Sequence, residues 1–213
     1  NLVIGVPLLI SSVIRARQGH LIGLLLWPGA LFYVTYTYIA YAAAAPFTLR
    51  GVYAALVALS VVALIWILRQ MDLAAIQQRL AGNVPQRLAG WVLAGLGLLL
   101  LLRSIWQLAT SSVDLALTDR AVLVADLLTT PAWIAGGVLL LRRHDLGYAC
   151  ALGLLFQAGM LFVGLLAVFL LLPWLASVPF PASDFAVVLA MGLVCFIPLG
   201  LYLRGVARLP RDE

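Results

Sequence analysis

Two opposite charges stand inside apolar stretches of this chain, and they are the first candidates for chemistry. Asp126 is the sixth residue of one apolar run, and Arg103 is the sixteenth residue of the run before it. A charged side chain inside a bilayer is costly, so such residues are candidates for function by default. At ~1.5 Å per helical residue, Asp126 lies ~8 Å and Arg103 ~22 Å along its own run. Two antiparallel helices in a ~30 Å hydrocarbon layer would therefore hold both charges at matching depth.

Two interpretations of this pair stay open at the level of sequence. In one, Arg103 and Asp126 form an ion pair, because either charge alone would be expensive to desolvate. In the other, Arg103 extends to the outer headgroups while Asp126 caps polar neighbours near the surface.

Other polar side chains fall at a similar height on neighbouring helices. Tyr33, Tyr36, Thr37 and Tyr41 share roughly one helical face, which predicts either a cleft open to the outside or an interfacial tyrosine belt. Thr129 and Thr130 directly precede Pro131, which predicts a kink in this helix. We expect the threonine hydroxyls to donate hydrogen bonds to the carbonyl groups that the proline frees. The predicted ligand-binding or ion-pair set is Tyr33, Tyr36, Arg103, Gln107, Asp126, Thr129 and Thr130.

The composition indicates that a bilayer surrounds these residues. Of 213 residues, 65% are hydrophobic and 10% are charged, and the mean hydropathy is +1.12. A water-soluble domain of this size could not bury so much apolar surface. The net charge of +5 comes from arginines placed between apolar runs, which excludes nucleic acid as a partner and favours contact with anionic lipid headgroups.

The apolar runs predict an all-α, polytopic bundle that forms one transmembrane domain over residues 1–213. The first run, 2–14, is too short to cross the hydrocarbon layer, so we expect residues upstream of Asn1 to complete it. A short amphipathic helix is predicted at about 71–81, in the cytoplasmic interface. The seven predicted spans are 2–14, 21–42, 51–68, 88–108, 121–141, 148–172 and 185–203.

The arginines predict the orientation of these spans. One alternating set of connections holds ten arginines, and the other holds only Arg50, Arg103 and Arg120. Because cytoplasmic loops carry an excess of basic residues, this asymmetry predicts an external N-terminus and a cytoplasmic C-terminus. The arginine-only, alanine-rich and leucine-rich usage is typical of a bacterium, which predicts a multi-pass protein of the inner (cytoplasmic) membrane. The ten arginines are Arg15, Arg17, Arg69, Arg79, Arg87, Arg142, Arg143, Arg204, Arg208 and Arg211.

No arrangement of side chains indicates catalysis, a metal or a cofactor. Neither a nucleophile with its base, nor paired carboxylates, nor a histidine-rich cluster can be found, which disfavours an enzyme. The chain contains no lysine, so a retinal pigment bound through a Schiff base is excluded.

Four segments resemble a family of multi-spanning bacterial membrane proteins with no assigned function. The resemblance implies a membrane-embedded helical protein, with Tyr36, Tyr38 and Asp126 at recurring positions. Two departures are Thr37, where the family pattern has asparagine, and the Pro28 step, where it has no proline. The segments are Leu26-Trp27-Pro28-Gly29-Ala30 through Tyr36-Thr37-Tyr38, the loop ending in Pro85-Gln86-Arg87, Ala125-Asp126-Leu127, and Gly137 through Leu141-Arg142-Arg143 to Gly147-Tyr148.

Two functions from different classes remain open on this basis. The first is binding or transport of a small molecule or ion through an outward-facing polar site. The second is a non-catalytic structural or accessory subunit of a larger membrane complex. Its protein partners would be other membrane subunits or a second copy of the chain, and the lipid bilayer is the partner in both cases.

Overall fold

The described chain is a bundle of seven α-helices. The computed structural model describes residues 21–110, 116–176 and 179–209, so the predicted run at 2–14 lies outside the described residues. Six of the seven helices are long and apolar enough to cross a membrane. The all-α fold class is confirmed for the described part of the chain. The helices are α1 (Leu21–Ala44), α2 (Phe47–Gln70), α3 (Leu73–Leu80), α4 (Gln86–Thr110), α5 (Leu117–Leu141), α6 (Asp145–Ala176) and α7 (Ala182–Ala207).

The long helices extend past the apolar runs that predict them. Each of the six later runs, from 21–42 to 185–203, lies inside one helix. The helices have 24 to 32 residues, or about 36–48 Å at ~1.5 Å per residue. That length exceeds a hydrocarbon layer of ~30 Å, so the helix ends and their charged residues reach the headgroup layer.

The core of the bundle is the first half of α6. This helix contacts α1, α3, α4, α5 and α7, and its residues 147–149 and 151–155 are buried. By contrast, α2 packs against α1, and Ile67 is its one buried residue. The exposed surface of α2 does not need polar side chains, because lipid tails solvate an exposed apolar helix.

Glycine pairs let neighbouring helices approach until their backbones touch. A β-carbon added to Gly29 of α1 would lie 2.2 Å from the carbonyl oxygen of Gly153 in α6. One added to Gly137 of α5 would lie 2.6 Å from the backbone nitrogen of Ala94 in α4. Small residues at Gly153, Gly137 and Ala94 thus allow close packing of helices in these two places.

Most described arginines gather at one end of the bundle, which we call the basic end. Gly29 meets Gly153 near the start of α1 and of α6, and Tyr202 near the end of α7 bonds to Tyr148 near the start of α6. A β-carbon on Gly205 would touch the turn before α4. The arginines of the basic end are Arg69, Arg79, Arg87, Arg142, Arg143, Arg204 and Arg208, whereas Arg50 and Arg120 lie in or beside helix ends at the other extremity.

The short helix α3 packs its apolar side onto protein. Asp72 caps it by accepting a hydrogen bond from the Ala75 backbone N–H at 3.0 Å. Ile76 and Leu80 are buried, and α3 contacts α6. Gln77, which the sequence places on the polar side, is half-buried and donates a hydrogen bond to the backbone oxygen of Arg143 at 2.6 Å. The helix is therefore pinned to the α5–α6 turn.

Candidate functional site

One polar contact between two spans joins α1 to α5. The Tyr36 hydroxyl donates a hydrogen bond to Oδ1 of Asp126 at 3.0 Å, and both side chains are half-buried. This hydrogen bond links two apolar helices through side chains that belong to neither helix backbone. The contact therefore fixes the position of one carboxylate oxygen. Within the described chain Oδ2 accepts no hydrogen bond from protein.

Three candidate side chains occur at nearly one height on different helices. Counted from the end opposite the basic end, Tyr36 is eight residues inside α1, Arg103 seven inside α4, and Asp126 nine inside α5. At ~1.5 Å per residue these depths are roughly 12, 10 and 14 Å. The helical register thus brings an acid, a base and a phenol to one level.

Arg103 stands beside Asp126 without bonding to it. Its side chain is exposed, and no salt bridge joins it to Asp126 in the part of the chain that the structure describes. The guanidinium is nevertheless within electrostatic reach of both Asp126 and Tyr36. An exposed guanidinium fits the interpretation in which Arg103 extends to the headgroups. Gln107, one turn further along α4, is half-buried on the same side.

Thr129 and Thr130 are buried, but their hydroxyls turn to their own helix. They donate to the backbone oxygens of Ala125 and Asp126, each at 2.7 Å. Pro131 frees the carbonyl four residues before it, on Leu127. The expectation that the hydroxyls cover the freed carbonyl was wrong, because a threonine side chain in a helix reaches the oxygen of its own residue i−4.

The tyrosines of α1 divide between two environments. Tyr33 is buried and interacts with Thr37, on the interior side of the helix. Tyr38 and Tyr41 instead form an aromatic group with Tyr53 of α2, with ring centroids 5.9–6.1 Å apart. Tyr33 is also within electrostatic reach of Tyr36 and Tyr41, so the face predicted for Tyr33, Tyr36, Thr37 and Tyr41 extends from the interior to the α1–α2 contact.

Sequence reasoning missed a second polar contact between spans. The Trp133 indole N–H donates to Oε1 of Gln157 at 2.5 Å, and both side chains are fully buried. Gln157 thereby joins α5 to α6. Its partner was missed because a tryptophan in an apolar run carries no signal that separates a buried N–H from an interfacial one.

Asp126 and Arg103 bring an acidic and a basic side chain to the same part of the bundle. A fixed carboxylate with one open oxygen lies near an exposed guanidinium, and within the described residues no cluster of three metal-binding side chains occurs. Three cavities lie at the α1–α2–α5–α6 crevice and at the two ends of the bundle, and Asp126 lines none of these three.

No protein-family model, no curated protein and no solved structure has a significant match to this chain.

Proposed function

We propose that this chain binds a small polar molecule or ion at Asp126 and moves it across the membrane. The observation that carries the proposal is the Asp126 carboxylate held at 3.0 Å by Tyr36, deep inside two apolar helices. An ionisable group at such a depth is retained at a cost. A purely structural contact between α1 and α5 could be made by neutral groups.

The surroundings of the carboxylate favour a ligand that carries both charges. Oδ2 of Asp126 would accept a hydrogen bond from an ammonium or another donor, and Arg103 would bind a carboxylate or a similar acceptor. Arg103 and Asp126 are within electrostatic reach of each other, and no salt bridge joins them in the described part of the chain. Zwitterionic amino acids and small amines fit this arrangement.

The proposed location is the inner membrane of a bacterium, with the basic end in the cytoplasm. Support comes from the gathering of seven described arginines at that end, as the positive-inside rule requires. In this orientation Tyr36, Arg103 and Asp126 belong to the outer half of the bilayer, so the ligand would enter from outside.

A binding screen followed by a transport measurement tests the proposal. The purified chain in mild detergent is mixed with single amino acids, small amines and monovalent cations, and thermal unfolding reports binding. Compounds that raise the unfolding temperature are then tested for uptake into proteoliposomes. Asp126→Asn is expected to fold normally and to lose binding at least tenfold, because it replaces the charged acceptor by a neutral one.

Asp119→Asn is the matched control, because Asp119 is an exposed carboxylate in the first turn of the same helix. It should bind as the unaltered chain does. If no compound stabilises the chain, or if Asp126→Asn binds as well as Asp119→Asn, the proposed site is wrong.

The second candidate function, an accessory subunit, has weaker support. The exposed apolar side of α2 could pack against another membrane protein. Lipid covers such a surface equally well, so the exposure of α2 does not separate a subunit from a free-standing protein.

A further inference from the structure

The basic end contains an open cleft lined by two arginines. One wall is α3, the turn after it and the start of α4, and the other is the α5–α6 turn. The cleft has a volume of about 770 Å³. Its polar lining consists of Gln77, Gln86, Arg87, Arg143 and Tyr148.

Arg143 has an unusual backbone conformation that presents it to this cleft. It is the one described residue other than glycine with a positive φ, at 57°. The backbone N–H groups of Arg143 and His144 bond to the oxygens of Leu140 and Leu139, at 3.0 and 2.9 Å. This is a Schellman cap, whose left-handed position is usually glycine. An arginine there is strained, which points to a use for its side chain.

Hydrogen bonds fix the walls of the cleft on both sides. Gln77 donates to the backbone oxygen of Arg143 at 2.6 Å, and the Tyr148 hydroxyl donates to Oε1 of Gln86. The Tyr148 backbone oxygen accepts a bond from the Tyr202 hydroxyl at 2.9 Å. The neutral polar groups are therefore engaged with protein, and the cleft has a defined shape.

The two guanidinium groups, by contrast, are open. Both arginines are exposed, and in the described part of the chain neither forms a salt bridge. The nearby carboxylate of Asp145 is engaged with His144, with Oδ1 and Nδ1 2.5 Å apart. The cleft lining thus includes two arginines and no acidic residue.

We propose that this cleft binds an anionic phosphate group, as carried by the headgroup of phosphatidylglycerol. Arginine is suited to phosphate because its planar group donates two parallel hydrogen bonds. Arg87 is the second residue of α4, and Arg143 directly follows the C-cap of α5, so both lie at the level where headgroups reside. Basic clefts between helices at this level are typical headgroup sites.

A second arginine-lined cleft at the opposite end provides an internal comparison. It has a volume of about 550 Å³ and contains Arg50 and Arg120, but every other lining residue is apolar. Arg50 already donates to the Ala45 backbone oxygen at 3.4 Å. Only the cleft at the basic end combines two open guanidinium groups with a hydrogen-bonded polar wall.

The test is lipid binding by the full chain in a zwitterionic detergent. Dioleoyl phosphatidylglycerol, the matching phosphatidylcholine and inorganic phosphate are titrated separately, and the shift in unfolding temperature gives a half-saturating concentration. We expect saturation with phosphatidylglycerol and none with phosphatidylcholine. Arg143→Gly, which suits the left-handed backbone, and Arg87→Gln should each raise the half-saturating concentration roughly fivefold.

Arg142→Gln is the matched control, because Arg142 is an exposed neighbour that does not line the cleft. It should leave the half-saturating concentration unchanged. If inorganic phosphate saturates the same site and competes with the lipid, the phosphate chemistry holds and a soluble phosphate is the natural source. Equal losses in Arg142→Gln and Arg143→Gly would overturn the proposal in favour of general charge attraction, as would equal binding of phosphatidylcholine. Should Arg143→Gly not fold, an unchanged Arg87→Gln overturns it alone.

Discussion

Two polar contacts on α5 hold this helix to different neighbours and differ in what surrounds them. Asp126 accepts a bond from Tyr36 of α1, and seven residues later Trp133 donates to Gln157 of α6. The first contact is half-buried, includes an ionisable carboxyl group and leaves one of its oxygens without a hydrogen bond from the described chain. The second is neutral and fully buried.

The two contacts differ in the side chains that form them: the α1–α5 contact includes an ionisable side chain, and the α5–α6 contact has only neutral groups. Around Gln157 the interior is closed: its Nε2 group is buried and has no hydrogen-bond partner in the described chain. An unpaired buried donor lowers stability. Because both side chains are neutral, this contact has no additional cost from burying a charge. Around Asp126, by contrast, an ionisable side chain is half-buried. We infer that the α5–α6 contact serves stability and the α1–α5 contact serves binding.

The largest expected effect is a loss of stability at the contact between Trp133 and Gln157. Trp133→Ala should lower the free energy of unfolding by about 3–5 kcal/mol, because it empties a packed site and leaves Gln157 without its partner. Thermal unfolding in mild detergent measures this change. Trp106→Ala, at a side chain that is 72% exposed, is the control and should change stability by less than about 1 kcal/mol. Similar losses in both variants would mean that the α5–α6 contact is not a special source of stability.

A smaller loss is expected one turn before Gln157, at the crossing of α1 and α6. A β-carbon on Gly153 would lie 2.7 Å from the Gly29 backbone nitrogen, so Gly153→Ala must push two helices apart. We expect destabilisation of about 1–3 kcal/mol, as for other overpacked sites. Gly95→Ala, where nothing lies within 4 Å, should instead stabilise the chain by roughly 0.5–1 kcal/mol. A gain in both variants would show that α1 and α6 can separate freely.

The smallest effect on the free energy of unfolding should come from the contact between Tyr36 and Asp126. Tyr36→Phe removes one hydrogen bond between spans, and such bonds contribute about 0.6 kcal/mol on average. Gln157→Leu, which strands the Trp133 N–H in a dry interior, should cost more, on the order of 1–3 kcal/mol. Comparing the two unfolding free energies sharpens the distinction between the contacts. A larger loss of unfolding free energy in Tyr36→Phe than in Gln157→Leu would contradict this distinction between the two contacts.

The sequence predicted the helices, and it predicted which helix ends lie at the same extremity of the bundle. Both predictions have a clear physical reason. Inside a bilayer, backbone groups must be bonded within the helix and charges collect at the ends, so apolar length and arginine positions determine both. Arg87 and Arg143, far apart in the chain, consequently line one cleft. The same reasoning gave the shared height of Arg103 and Asp126.

What the sequence could not give was the rotation of each helix about its axis. Tyr36 and Arg103 stand at similar depth, so depth alone could not choose between them as the partner of Asp126. The choice depends on how α1 is turned, and that is set by the contact of Gly29 with Gly153. The partner of Gln157 and the open cleft beside Arg143 depend on packing in the same way.

Accessibility to water at the two contacts tests the central claim most directly. Single cysteines at positions 126 and 157 are introduced into a chain whose two free cysteines, Cys150 and Cys195, are replaced by alanine. A charged, membrane-impermeant thiol reagent is then added to the chain in sealed vesicles. We expect rapid labelling of Asp126→Cys from the side opposite the basic end, and no labelling of Gln157→Cys. Equal protection of both positions would contradict it, because a carboxylate sealed from water on every side could not receive a ligand.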